Sequence, residues 1–288
     1  MRAEWMLLGL VLAQRLVRPD QHHGPTEALL VAAVAQSILA TGEPDEEDLV
    51  SRWRSHPDLA VDGNGGQTEL VLELTRRGSP WTKAVEIAAR LTSRPELDPP
   101  LLRVLPIAIA TVGRGLQLRR WTRRVTALTH PDPISQLTAF AVARLGQDLL
   151  SFGLEDALPR TAQAVREDAP ESLIAALRPS DPGEEVPGGE DARGVLAATV
   201  QSLAGATSWE AAVTSATTRG IAGDQAVLLT GALAGAMLGV PDQEAGRHPE
   251  QTAAIRQLAQ ALVAHSRAHA DDPLPAPTWL PRAVGSGT

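Results

Sequence analysis

The 288-residue chain contains no cysteine, no tyrosine and only two phenylalanines. The absence of cysteine excludes disulfides, zinc–thiolate sites and cysteine nucleophiles. Aromatic residues are typical of sheets, whereas the alanine and leucine that dominate this sequence favour helices. Basic residues are also too few to balance the acids, and the formal net charge is −8. We therefore predict an all-α protein that does not bind nucleic acid.

Apolar runs long enough to span a membrane are lacking as well. The N-terminal run, residues 5–13, is too short to cross a bilayer, and no small-residue cleavage site follows it. We interpret it as a buried helix of a soluble, cytoplasmic protein that does not bind membranes. With 43% hydrophobic residues the chain can bury a large core, and we predict one helical domain over residues 1–271. Residues 272–288 are rich in proline and glycine and are predicted to form a C-terminal tail.

The stretch from Gly220 to Gly239 is the feature around which the rest is organised. After Asp224 it carries no charge, which is typical of a helix buried on all sides. Gly231, Gly235 and Gly239 recur every four residues, so another helix can approach this one closely. We expect the helix from Asp224 to Gly239 to be the most buried of the protein. A second interpretation is that the glycine-rich turn before it presents ligand-binding groups at a helix N-terminus.

Apolar spacing and start and stop signals predict the remaining helices. They are predicted at residues 3–17, 25–41, 44–53, 67–77, 80–92, 99–117, 133–149, 195–203, 208–218 and 249–269. Residues 178–193 are rich in proline, glycine and acids and are predicted to be a loop. Asp132 is predicted to cap the helix that begins at Pro133.

Several segments together resemble a known family. Residues 207–220 lead into the glycine turn and then into the sequence GALAGA at 231–236. This arrangement is similar to the C-terminal signature of the ADP-ribosylglycohydrolases, in which a G-G-D-T-D-T turn precedes the same helix. Further blocks resemble that family in the same order: LLGL at 7–10, GGQT at 65–68, LLRVLP at 101–106 and THPDP at 129–133. The resemblance covers nearly the whole chain and implies an orthogonal helical bundle around a buried central helix.

The resemblance also implies where the family's magnesium pair would bind. In that family the ligands come from the T-D-D-T segment and from the glycine turn. Counted onto this chain, the six motif positions fall on His23, Gly24, Pro25, Ala222, Asp224 and Gln225. Among them Asp224 is the one acid that is kept, and two divalent ions need several oxygen ligands. The resemblance therefore implies a diverged member with a degenerate metal site and no magnesium cofactor.

A remnant pocket is expected where the start of the central helix faces the loops around His22 and His130. The candidate catalytic residues are Asp224, as a general base or as the partner of a substrate amine, and His130. The candidate ligand-binding residues are His22, His23, Thr26, Arg103 and Gln225. No residue is assigned to a resident metal.

Each of these residues also has an interpretation that involves no ligand. Asp224 could serve only as a helix cap, and Arg103 could bind a phosphate or hold its own helix in place. His22 and His23 are either solvated or form a nitrogen-rich site for zinc or iron with Asp224, to which His130 could also contribute. Glu27 is predicted to be exposed.

Three functions remain open at this point. The first is a diverged protein that binds a small-molecule ligand in the remnant pocket, a pseudoenzyme or one with metal-independent acid/base activity. The second is an active hydrolase of N- or O-glycosidic ADP-ribose conjugates with a rebuilt metal site. The third is a non-enzymatic scaffold that binds a protein partner. Whether the chain is an enzyme is left open, and any activity would be of the hydrolase or acid/base type.

Overall fold

A computed structural model describes residues 1–17, 26–56, 66–92, 100–179, 191–219 and 223–270. Regular structure within these ranges is helical and includes no strand, which confirms the all-α prediction. The helices are α1 (Arg2–Val17), α2 (Thr26–Thr41), α3 (Glu46–Ser55), α4 (Gln67–Arg76), α5 (Trp81–Leu91), α6 (Leu105–Ala110), α7 (Gly115–Ala127), α8 (Pro133–Leu149), α9 (Leu154–Val165), α10 (Glu171–Ala176), α11 (Ala192–Leu203), α12 (Trp209–Arg219), α13 (Gly223–Leu238), α14 (Asp242–Gly246) and α15 (Pro249–Ala268).

Helix boundaries with clear capping signals were predicted correctly. Asp132 caps α8, because its side chain accepts a hydrogen bond of 2.7 Å from the backbone N–H of Ser135. Pro133 occupies the first helical position, where its missing N–H costs no intrahelical bond. Gly78 follows α4 with a φ of +95°, a left-handed conformation that ends a helix and that glycine adopts without strain.

The predicted helix at residues 99–117 is wrong. The chain forms a 3-10 turn at Leu102–Val104 and then α6, which ends at Ala110, before α7 begins at Gly115. Gly113, between the two helices, has a φ of +80°, which interrupts helical geometry. The apolar pattern does not reveal this break. Residues 101–110 are all buried, so the segment lacks the periodic polar positions from which helix ends can be read.

Helices α9, α10 and α14 were not predicted from the sequence. In α9 a proline, Pro159, lies inside the helix, and proline in a sequence usually indicates a break. The other two helices are only six and five residues long, so neither shows a periodic apolar pattern. The predicted loop at 178–193 is too long at its C-terminal end, because Asp191 caps α11 from residue 192 onward.

Helix α13 lies at the centre of the described structure. Every residue from Ala226 to Ala236 is buried, and the helix packs against α1, α8, α11 and α12. This is the longest buried run within any one described helix, which supports the predicted central position. Burial does not extend over the whole predicted stretch, because Asp224 and Leu238 are exposed.

The contact between α1 and α13 is a backbone contact. A Cβ atom on Gly9 would lie 2.1 Å from the carbonyl oxygen of Gly231, and one on Gly235 would lie 2.1 Å from the carbonyl oxygen of Trp5. Because the order of these pairs is reversed along the two helices, α1 and α13 run antiparallel. The end of α1 therefore lies at the same end of the bundle as the start of α13.

Some sequence predictions concern residues outside the described ranges. They include the C-terminal tail at 272–288, the turn at 220–222 and the loop that carries His22 and His23. Within the part of the chain that the structure describes, no helix combines the length and hydropathy needed to span a membrane.

The α1–α13 contact predicts that a single methyl group is harmful at Gly235. Gly235→Ala should lower the free energy of unfolding by about 1–3 kcal/mol, because the methyl group would force the two backbones apart. Gly246→Ala is the matched control, since an added Cβ there meets nothing within 4 Å. Urea denaturation of both variants measures the difference. Equal stability of the two variants would contradict the close approach of the helices.

Candidate functional site

A buried arginine organises the polar centre of the structure. Arg103 lies in the 3-10 turn before α6 and has no solvent exposure. Its Nη1 donates to Thr129 Oγ1 at 2.8 Å, and its Nη2 donates to Thr68 Oγ1 at 2.7 Å. Its Cζ lies 5.7 Å from the centre of the Trp53 ring. The guanidinium thus links the turn to the start of α4, to the α7–α8 connection and to α3.

Glu27 lies beside this arginine, and the prediction that it is exposed is wrong. Its side chain is 15% exposed, and Oε1 lies 3.7 Å from Arg103 Nη2. Glu27 is in the first turn of α2, directly after the segment that resembles the family's T-D-D-T motif. Because a buried positive charge is unfavourable without a counter-charge, the pair explains why α2 enters the bundle with this residue turned inward.

The start of α4 supplies a further contact to the same centre. Gln67 is fully buried, and its Nε2 donates to the backbone carbonyl of Thr129. Trp81, which begins α5, donates from Nε1 to the carbonyl of Leu128 at 2.9 Å. Both bonds hold the short segment between α7 and α8, so its conformation depends on packing with α4 and α5.

His130 lies in that short segment and is also fully buried. Its Nδ1 is 2.9 Å from Thr129 Oγ1, and its backbone N–H donates to the carbonyl of Thr126 at 2.8 Å. The histidine therefore belongs to the network of Arg103. The structure brings together two of the candidate site residues, Arg103 and His130.

The acid at the start of α13 is more exposed to solvent than the sequence predicted. Asp224 is the second residue of the helix and is exposed, and Gln225 is half-buried. An acid in the first turn interacts favourably with the positive end of the helix dipole, but the helix begins at Gly223, so Asp224 is not the N-cap residue. The prediction of an acid at the bottom of a pocket does not match its exposure. Helix α13 nevertheless packs against the 3-10 turn of Arg103 and against α8.

Three of the predicted ligand-binding residues are not placed. His22 and His23 lie outside the described residues, and of Thr26 only the backbone, at the start of α2, is described. Among the residues that the structure does describe, no three histidine, aspartate or glutamate side chains lie close enough together to hold a metal ion.

The arrangement provides one fixed positive charge, two hydroxyl groups and an imidazole. The guanidinium only donates hydrogen bonds. The imidazole can both donate and accept protons. These groups can orient a polar ligand and move a proton.

Sequence reasoning missed Thr68, Thr129 and Gln67 as members of the site. All three lie in the segments 65–68 and 129–133 that were singled out for their resemblance. A signal was available, because an arginine in an otherwise apolar segment such as LLRVLP needs several acceptors when it is buried. Which residues would supply them was not visible from spacing alone.

Comparisons with known proteins agree with this architecture. A family model described as ADP-ribosylglycohydrolase matches residues 18–272. A solved structure described as an "ADP-ribosylglycohydrolase-related protein complex" is similar with a TM-score of 0.71 and 20% identity, over 92% of this chain and 98% of that one. This likeness confirms the predicted fold. A search of curated proteins finds no match.

The buried network predicts that lysine does not replace arginine at position 103. Arg103→Lys keeps the charge but loses the fork that reaches Thr68 and Thr129 together, and each lost charged hydrogen bond costs about 1.5–3 kcal/mol. Arg119→Lys is the control, since Arg119 forms a surface pair with Asp168 that is half-exposed and should change stability by less than about 0.5 kcal/mol. Chemical denaturation compares the two. A stable Arg103→Lys protein would show that the network does not support the fold.

Proposed function

The chain belongs to the ADP-ribosylglycohydrolase family, and we propose that it is a diverged member that works without the family's magnesium pair. It binds a small-molecule ligand in the remnant pocket between the starts of α2 and α13 and the Thr129–His130 segment. Its activity is either lost or converted to metal-independent acid/base chemistry. One observation carries the proposal: Arg103, Thr68, Thr129 and His130 form a buried polar network, although Asp224 is the one residue kept among the six metal-ligand positions.

The residue types argue against two magnesium ions. Magnesium prefers an octahedral shell of oxygen atoms, supplied by carboxylates and water. Gly24, Pro25 and Ala222 offer no side-chain ligand at all. The remaining acid, Asp224, would face two divalent ions alone, which leaves most of their charge unbalanced. The residues present do not fit the pair, and no step of the proposed chemistry passes through it.

A retained ligand site accounts for the buried polar groups. Burying an arginine is costly, and well-packed apolar residues of similar volume often stabilise a fold equally well. If this region served only to stabilise the fold, apolar residues could replace the network of Arg103, Thr68, Thr129 and His130. Their presence supports a site that still orients a polar molecule.

The proposed chemistry assigns separate tasks to the two candidate catalytic residues. Asp224 is exposed, so it can meet a ligand from solvent and accept a proton or bind an amine. The Nδ1 atom of His130 contacts the Thr129 hydroxyl. The ring can donate a hydrogen bond or a proton to the side of the ligand that faces the protein interior. Arg103 is occupied by protein partners and supports the site through them.

We predict that magnesium has no effect on the protein. Protein purified without chelator should contain no stoichiometric magnesium by elemental analysis. Added magnesium should not raise the melting temperature, because a ligand stabilises only a folded state that binds it. Saturable stabilisation by magnesium, or bound zinc or iron in stoichiometric amount, would instead support a hydrolase with a rebuilt metal site.

Ligand binding is predicted to depend on Asp224 and His130 and to survive chelation. In a thermal-shift screen that includes ADP-ribose and contains EDTA, a ligand at about 100 times its Kd should add about 2.7 kcal/mol of stability. Asp224→Asn and His130→Ala should each weaken binding about tenfold or more, equivalent to about 1.4 kcal/mol. Each variant is compared with its own ligand-free melting temperature.

Asp156→Asn is the matched control for the acid, because Asp156 is also exposed in the first turn of a helix, α9. It should bind the ligand as the wild type does. Binding that neither Asp224→Asn nor His130→Ala affects would place the ligand elsewhere on the surface. Failure of every small molecule to bind would favour a scaffold for a protein partner.

A further inference from the structure

Thr129 connects the buried arginine to the candidate catalytic histidine. Its Oγ1 lies 2.8 Å from Arg103 Nη1 and 2.9 Å from His130 Nδ1. We infer that Thr129, oriented by Arg103, holds neutral His130 in the tautomer that carries its proton on Nε2. Thr129 and Arg103 are then positioning residues, and His130 is a hydrogen-bond donor toward the ligand. The role toward a ligand rests on the proposed function, whereas the tautomer does not.

The direction of the hydrogen bonds follows from proton counting. A threonine hydroxyl has one proton to donate and two lone pairs to accept with. Arg103 only donates, so Thr129 Oγ1 must accept at that contact. In the described structure the other partner of this oxygen is His130 Nδ1. The hydroxyl proton therefore points to Nδ1, which must be the unprotonated nitrogen of the neutral ring.

The opposite tautomer would be unfavourable at this position. If Nδ1 carried the proton, it and Arg103 would both donate to Thr129. The hydroxyl proton would then have no acceptor among the described residues. Thr129 is fully buried, and a buried donor without an acceptor loses the hydrogen bond that water would give it.

Arg103 and Thr129 are each held by additional contacts. The second nitrogen of Arg103 donates to Thr68, and Glu27 lies beside it. The carbonyl of Thr129 accepts from Gln67. The position of the hydroxyl is thus set from two sides, by the guanidinium and by the backbone, and the histidine ring is oriented by a rigid group.

The tautomer restricts what His130 can do. With Nε2 protonated, the neutral ring offers a donor on the side away from Thr129 and cannot accept a proton there. The ligand atom that it meets should be an acceptor, such as a phosphate, carbonyl or ribose oxygen. Proton acceptance in any reaction then falls to a carboxylate, for which Asp224 is the exposed candidate.

Nitrogen-15 NMR of the full chain labelled at histidine tests the tautomer directly. In the wild type at neutral to mildly alkaline pH, His130 should show Nδ1 in the range of an unprotonated nitrogen and Nε2 in that of a protonated one. A His130→Asn sample identifies its signals by their loss. Observing a protonated Nδ1 in the neutral ring of the wild type would overturn the inference without any variant.

Three variants at neighbouring threonines separate positioning from packing. Thr129→Val keeps the shape but removes the donor, so the His130 signals should shift toward a mixture of tautomers. Thr129→Ser restores the hydroxyl and should restore the wild-type signals. Thr126→Val is the matched control, because the Thr126 hydroxyl is buried and has no hydrogen-bond partner in the described structure. Unchanged signals in Thr129→Val, or the same shift in Thr126→Val, would overturn the inference.

Binding of ADP-ribose to the same variants separates this inference from the proposed function. Thr129→Val should weaken binding several-fold, and Thr129→Ser should bind as the wild type does. If the wild type does not bind ADP-ribose while the NMR signals behave as expected, the positioning role stands and that ligand is wrong. If ADP-ribose binds and Thr129→Val loses nothing, Thr129 does not position a ligand-binding group.

Discussion

The fold depends on the close approach of α1 and α13. At Gly9, Gly231 and Gly235 the two backbones are so near that a single Cβ atom would collide with a carbonyl oxygen. The buried carbonyl of Gly231 also accepts a hydrogen bond from the Trp209 side chain at 2.9 Å, which ties α12 to the same point. Because α1 and α13 run antiparallel, this contact brings the end of one and the start of the other to the same end of the bundle.

The site itself is built on a second constraint, the burial of Arg103. A charge in the interior is tolerated only when its hydrogen bonds are made and its charge is partly balanced. Thr68 and Thr129 accept from its two terminal nitrogens and Glu27 lies beside it as a counter-charge, while Nε has no hydrogen-bond partner in the described structure. The same contacts fix the segment that carries His130, so structural stability and the geometry of the proposed ligand site depend on one network. The polar centre of this family fold is thus built around the guanidinium of Arg103.

Particular residues show how much of this could be predicted. Capping and left-handed glycine signals located helix ends such as Asp132 and Gly78, because these effects act within a few residues. The break between α6 and α7 escaped prediction, since segments buried on all sides carry no periodic pattern to reveal it. The resemblance pointed to Arg103 and His130, but it suggested neither that Glu27 faces inward nor that Asp224 is exposed. Such exposure depends on which helices cover a position, and the local sequence does not specify that.

The sequence by itself determined the all-helical class, most helix positions and the glycine ridge of the central helix. These follow from residue type, local spacing and charge. Only the tertiary structure decided that Arg103 bonds to Thr68 and Thr129, which are 35 and 26 residues away in the chain. Many threonines could have served as acceptors, and the packing of α4, α7 and α8 around the 3-10 turn selects these two. The orientation of His130 follows from that selection, because a hydrogen bond requires both partners to be brought within about 3 Å of each other.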